Sequence, residues 1–244
     1  MKIYQMAEHY IRYQFLYPET AEYFTRYESE PPTHGEPVLT VSTTLEYMEQ
    51  YAQRAGQTVR NYPGTEYDVL ALATSAALLP YRTVLFHSVG FSYRGKAIAF
   101  TGPSGIGKTT QYAQWKRCYG EKVKVISGDM SALALHDDCR IWVHPSAWNG
   151  KEHLRHEHTD PLGGIVILEQ APENSIVRLD PKDAILPVYS QMCVDRREKE
   201  QIRLALELED ILLRQIPVWK LSSRGDLASA RLWHDTITGE IYGE

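Results

Sequence analysis

The stretch Lys96-Ala-Ile-Ala-Phe-Thr101-Gly-Pro-Ser-Gly-Ile-Gly-Lys-Thr109-Thr110 constrains this chain more than any other. It fits G-x-x-x-x-G-K-[ST] at Gly102, Gly107, Lys108 and Thr109. An apolar run that reads as a strand precedes the motif, and the helix-compatible Thr109 to Arg117 follows it. The segment Gly102, Pro103, Ser104, Gly105, Ile106, Gly107, Lys108, Thr109 and Thr110 therefore reads as a phosphate-cradling loop. Its glycines let successive backbone N–H groups turn inward around an anion. Lys108 is placed to reach β/γ-phosphates, and the Thr109 hydroxyl to ligate Mg²⁺. A purine triphosphate is the ligand this arrangement predicts.

The strand before the motif has an unusual neighbour. Thr83 to Ser92 and Lys96 to Thr101 are two apolar runs separated by Arg94-Gly95, a tight-turn position. Phosphate loops of the doubly wound type follow a strand in a parallel βαβ setting. Here the feeding strand is expected to pair antiparallel with its predecessor, which predicts an α/β fold with a mixed sheet. The chain has 244 residues, 43% of them hydrophobic and 23% charged, enough for a substantial buried core. We expect a small α+β N-terminal portion over residues 1–60 and the phosphate-loop domain over 61–244.

A net charge of -5 argues against a nucleic-acid surface, which usually needs a basic stripe. Lys116-Arg117, Lys122/Lys124 and Arg196-Arg197 are short basic clusters and read as solvated rim. Cys118, Cys139 and Cys193 are widely spaced and odd in number, which suits a reducing compartment. The first residues lack the h-region of a signal peptide, and no apolar window approaches bilayer length. The expectation is a cytoplasmic protein without membrane or nucleic-acid partners.

Elsewhere the pattern is ordinary. Tyr4, Tyr10, Tyr13, Tyr17, Tyr23 and Tyr27 crowd the first residues and read as aromatic packing of a small layer, with a substrate-facing lip as the alternative. Ile11 to Tyr17 reads as an edge strand, Glu28 to Glu36 as a loop and Pro37 to Ser42 as a strand. Thr43-Thr44 precede a helix over Leu45 to Ala55. Asn61-Tyr-Pro-Gly64 reads as a turn before a helix that Pro80 stops. Further strands are expected at Val123 to Ser127, Met130 to Leu135, Cys139 to Val143, Leu162 to Gln170 and Pro217 to Leu221. Helices are expected from Ala184, over Glu198 to Gln215, and over Asp226 to Trp233.

Several residues near these strand ends carry chemistry. Asp129 ends the strand Val123 to Ser127 and suits a metal ligand or a proton acceptor. His87 lies in the strand paired with the loop-feeding one, within reach of a phosphate under the hairpin reading. The loop Pro145 to Glu152 offers Lys151 and Glu152 beside a turn at Trp148-Asn149-Gly150. Glu169 terminates a second apolar run of the kind that positions Mg²⁺, and periodicity does not rank it against Asp129. His153, His156 and His158 have weak metal spacing and read as solvated.

The order His87, then Gly102 to Thr109, then Val125-Ile-Ser-Gly-Asp129 resembles the catalytic domain of HPr serine kinase/phosphorylase, a fold shared with phosphoenolpyruvate carboxykinase. Ala147 to Glu152, Pro161 to Ala171 and Ile216 to Leu221 are similar to recurring segments of the HPr-kinase-like proteins of bacterial modified-peptide biosynthesis. The resemblance spans about Tyr81 to Trp233 and implies a mixed-sheet kinase. It implies Thr109 and Asp129 on Mg²⁺ and Asp129 as the base toward a serine or threonine hydroxyl. His87 matches the histidine that precedes the family's loop. The family's first aspartate is replaced by Gly128, so a second acid would come from Glu152, from Glu169 or from nowhere. The expected activity is ATP-dependent, serine-type phosphotransfer to a peptide, protein or small molecule, with His87, Lys108 and Asp129 catalytic. A nucleotide-binding partner protein without transfer is the alternative. The family's frequent hexamers allow for a homo-oligomer.

Overall fold

The computed structural model describes residues 2–54, 56–150 and 158–242. A four-stranded sheet is built from β1 (Ile3–Met6), β2 (His9–Gln14), β3 (Glu28–Ser29) and β4 (Val38–Ser42), in the order β3-β1-β2-β4. Ala7 and Glu8, both at positive φ, close the β1–β2 hairpin without a glycine. The expected edge strand is interior: β2 pairs antiparallel with β1 and parallel with β4. Ile11 and Tyr13 point to the buried face, so the side chains that suggested an edge are core residues. Tyr4, Tyr13, Phe15 and Phe24 pack ring against ring. Tyr4 and Tyr13 thus belong to a packed aromatic layer, while Tyr23 remains exposed at its edge.

The second sheet has eight strands: β5 (Thr83–Tyr93), β6 (Lys96–Thr101), β7 (Val123–Ser127), β8 (Met130–Leu135), β9 (Ile141–His144), β10 (Asp160–Gln170), β11 (Ser175–Arg178) and β12 (Val218–Ser223). Its order is β11-β12-β10-β6-β5-β8-β9, with β7 paired to the far half of β5. Strands β6, β10 and β12 are mutually parallel, whereas β5 runs antiparallel to β6. The mixed sheet follows from the Arg94-Gly95 turn, whose φ values of 51° and 75° match the twist of a two-residue hairpin. β9 also meets the start of β10, closing the circuit β10-β6-β5-β8-β9 at one end.

Seven helices complete the described residues: α1 (Pro18–Glu22), α2 (Leu45–Arg54), α3 (Tyr62–Leu78), α4 (Lys108–Tyr119), α5 (Pro181–Tyr189), α6 (Lys199–Gln215) and α7 (Leu227–Tyr242). Thr44 Oγ1 accepts from Tyr47 N at the start of α2. The expected turn at Asn61 is the first turn of α3: Asn61 Oδ1 accepts from Gly64 N at 3.1 Å, and Pro63 sits where no helical donor is needed. α7 continues past Trp233 because Ile237 and Ile241 keep its buried face going. Among the described residues no helix is long and apolar enough to cross a membrane.

Alternation along the strands divides the core in two. Ala97, Ala99, Ile165 and Val218 face α5 and α6, while Ile98, Phe100, Val166 and Trp219 face α4 and α7. A third cluster joins the first sheet and α3 to Leu85, Ala132 and Trp148.

Candidate functional site

Strand register brings the site together. Ser88 pairs with Thr101 at the end of β6, and Thr101 Oγ1 donates to His87 O at 2.8 Å. His87 thus stands beside the first residue of the loop. On its other side, β5 changes partner from β7 to β8 between Gly90 and His87, and the chain crosses there through Gly128-Asp129. Ser88 N donates to Asp129 O at 2.8 Å, fixing that crossing.

The loop itself runs from the end of β6 to the first turn of α4. Gly102, Gly105 and Gly107 have φ of 141°, 79° and 108°. At Gly102 a Cβ would also lie 3.3 Å from Leu168 O, so backbone packing reinforces the need for glycine. Gly107 is the N-cap of α4 and offers no side chain to its first turn, which leaves the N–H groups there without a side-chain acceptor. Such a terminus attracts anions.

Three side chains converge at the mouth of this loop. Lys108 Nζ donates to Gly102 O at 3.0 Å, to Pro103 O at 3.3 Å and to His87 Nε2 at 3.1 Å. His87 Nδ1 lies 3.2 Å from Gln191 Oε1, an acceptor that holds the proton on Nδ1 and leaves Nε2 facing the loop. Asp129 Oδ1 is 3.3 Å from the same Nε2. Burial pulls the Lys108 ammonium below its ordinary pKa, and the charge of Asp129 opposes that effect.

These groups line a cavity of about 460 Å³ together with Ser104, Thr109 and Asn149. Gly150 lies against Asp129, where a Cβ would come within 3.0 Å of the aspartate Cβ. Trp148 anchors this wall: its Nε1 donates to Tyr67 O at 2.8 Å, and its ring packs on Phe24 and Tyr67. The Asn149 Oδ1 is buried without a partner.

Other sequence-predicted positions fall elsewhere. Glu169 does not line this cavity. Lys220 Nζ at 2.9 Å and Ser222 Oγ at 3.0 Å hold its carboxylate, and they lower its pKa, Lys220 most. Lys151, Glu152, His153 and His156 lie outside the described residues. His158 is not simply solvated, since its Nε2 meets Asp160 Oδ2 at 2.9 Å. Among the described residues no three His, Cys, Asp or Glu side chains form a metal-binding group.

Sequence reasoning passed over Asn149 except as a turn, and it passed over Gln191 and Asp68. Burial raises the Asp68 carboxyl, and the charge of Asp129 raises it further. Asp68 follows Tyr67 on α3, in a helix whose periodicity advertises only core packing.

No family model matches the chain, and no curated protein matches it. Among solved structures, the HPr(Ser) kinase/phosphatase from Coxiella burnetii is similar at 9% sequence identity. The alignment covers 64% of this chain and 97% of that one, with a TM-score of 0.38. A likeness that low carries no argument, so the chemistry rests on this chain's own geometry.

Proposed function

We propose that this chain is a Mg·ATP-dependent phosphotransferase acting on a hydroxyl, on a serine or threonine of a peptide or protein or on a small molecule. The observation that carries the reading is the convergence of Lys108 Nζ, His87 Nε2 and the Asp129 carboxylate on one cavity walled by a glycine loop and an uncapped helix start. Phosphoryl transfer asks little covalent chemistry of a protein and much positioning and charge stabilisation. The loop N–H groups and Lys108 would hold the β- and γ-phosphates. Binding ATP would draw Lys108 Nζ from the Gly102 and Pro103 carbonyls to phosphate oxygens, a stronger charge-assisted pairing.

The residues present fit Mg²⁺. This ion keeps several waters and asks for one or two protein oxygens beside the phosphates, and Thr109 and Asp129 line the same cavity. When bound, Mg²⁺ neutralises charge that develops on the phosphates. The acceptor oxygen would form its bond to the γ-phosphorus as the bond to the ADP oxygen breaks. The acceptor's proton would pass to Asp129, whose carboxylate faces the Lys108 ammonium that His87 Nε2 holds at the mouth of the loop.

A second reading, a nucleotide-binding partner protein without transfer, is favoured by one observation: Gly128 leaves Asp129 as the cavity's single described carboxylate. Incubation with labelled ATP, Mg²⁺ and serine- or threonine-containing peptides, read by mass, separates the two. A phosphorylated product establishes the transferase. ATP binding with no product on any acceptor leaves the partner protein, and absence of ATP binding removes both readings.

A further inference from the structure

Four of the five described non-glycine residues at positive φ line a single cavity. Ala7, Glu8, Arg82 and Cys139, at 47°, 68°, 54° and 62°, border a space of about 670 Å³. Side chains with a Cβ rarely hold that backbone, and where the fold imposes it a function is worth seeking. Three turns meet here: the β1–β2 turn with Glu8 and His9, the segment Pro80 to Thr83 that leads into β5, and the β8–β9 turn from His136 to Cys139. The cavity is remote from the glycine loop, since β8 follows Asp129 at one end and leads to His136 at the other.

Three imidazoles gather at this junction. His136 Nε2 lies 2.9 Å from His144 Nε2, so one ring donates and the other accepts. His144 is buried, and that burial, with His136 and His9 nearby, pushes its pKa down to about 4. It therefore stays neutral. His9 Nε2 lies 3.4 Å from Thr83 Oγ1, and burial lowers its pKa although the charge of Glu8 opposes that. His136 differs from both. It stacks on Trp142 and on His144, and its Nδ1 is 3.8 Å from Glu8 Oε2, too long for a hydrogen bond. A neutral ring that donates from Nε2 turns a bare lone pair toward that carboxylate, which accounts for the gap. The other charges around the pair are committed or distant from it. Asp138 holds Arg140 at 2.7 Å and accepts from Trp142 Nε1, and Asp160, opposite Val143 on β10, meets His158. Asp137 and Arg82 line the cavity with opposite charges, beside the exposed thiol of Cys139. Glu8 is thus the carboxylate that faces His136 from another element.

We propose that His136 is a proton-operated latch, which takes up a proton at Nδ1, bonds Glu8 on one side and His144 on the other, and so fastens the β1–β2 turn to the β8–β9 turn. One proton is gained and no hydrogen bond is lost. Nε2–H donates to the neutral His144 Nε2, and the new Nδ1–H donates to Glu8 Oε2. An imidazolium and a carboxylate make a charge-assisted bond, shorter and stronger than a neutral one. As pH rises the proton leaves, the pair of imidazoles remains, and Glu8 is released to solvent. The latch is independent of the nucleotide reading of the glycine loop.

Imidazole NMR and amide hydrogen exchange on the full chain, from about pH 8 down to about pH 5, test this. Of the pair, His136 is expected to take the first proton, with the Nδ1 resonance reporting it, while His144 stays neutral. Exchange protection across Ile3 to Gln14, corrected for the intrinsic rate, should rise severalfold in the wild type relative to Glu8→Gln as the pH falls. Glu8→Gln, at a side chain that is 69% exposed, removes the charge and should lower the proton affinity of His136 severalfold. His136→Gln keeps a donor toward His144 and removes the titration, so it should abolish the difference in protection. If that variant does not fold, Glu8→Gln carries the test alone. A first proton on His144, or wild-type protection that follows Glu8→Gln at every pH, would overturn the latch.

Discussion

His87 is useful because both of its ring nitrogens are committed. Gln191 takes one side, and Lys108 and Asp129 meet the other. If Asp129 accepts the acceptor's proton, Asp129→Asn should cut turnover by about 10² to 10⁴ while ATP affinity changes little. A Mg²⁺-dependent loss of ATP affinity in that variant would mark Asp129 chiefly as a metal ligand. Another single residue, far from the cavity, sets a pH dependence. Glu209 on α6 is 2% exposed, its Oε1 has no partner, and burial pushes its carboxyl from 4.5 up to about 7. The folded state therefore keeps a proton that the unfolded chain has released. Its contribution to stability is full below about pH 4.5 and is lost as pH rises toward 7. Glu209→Gln should flatten that limb and stabilise the chain at pH 8 by on the order of 1–3 kcal/mol, measured by urea unfolding across the range.

The elements explain why the residues meet. The turn of β5 and β6 and the switch of β5 from β7 to β8 place His87 beside the glycine loop and Asp129 beside His87, on the side away from β6. The loop needs glycine at three positions of positive φ. Gly102→Ala puts a Cβ at φ 141° and 3.3 Å from Leu168 O, a strain of about 1–3 kcal/mol. The loop is expected to shift rather than the whole sheet to unfold. ATP affinity should fall at least tenfold with a melting temperature only a few degrees lower, read by calorimetry and circular dichroism. Lys108→Ala should weaken ATP by a similar factor, since it removes a phosphate contact while leaving the backbone conformation of the loop available. Most of this element was legible, because the glycine spacing and the flanking apolar runs are local. α3 and α7 were read with wrong limits: Asn61 caps a helix where Pro-Gly suggested a turn, and Ile237 and Ile241 extend α7 through a stretch of weak formers.

At the scale of the molecule, the N-terminal sheet and α3 are tied to the site through Trp148. Its indole bridges Phe24 and Tyr67 on one side and carries Asn149 and Gly150 on the other. Trp148→Ala should cost about 3–5 kcal/mol and lower turnover more than ATP affinity, because it frees the wall opposite the glycine loop. Trp148→Phe, which keeps most of the volume and loses the Nε1 bond to Tyr67 O, should lie between the variant and wild type in denaturant unfolding and in turnover.

What the sequence determined by itself was what neighbouring residues determine: the loop, its strand and helix, the Arg94-Gly95 hairpin and hence a mixed sheet. Each depends on backbone preferences and apolar period within a few residues. The tertiary structure decided which distant carboxylates share the cavity. Asp129 and Glu169 both end apolar strands and were equivalent as patterns. Only the order of strands puts Asp129 beside His87 and turns Glu169 to Lys220 on the far side of α4. Asp68 lies among core-facing neighbours on α3, so its nearness to Asp129 depends on helix docking, which leaves no periodic trace in the chain.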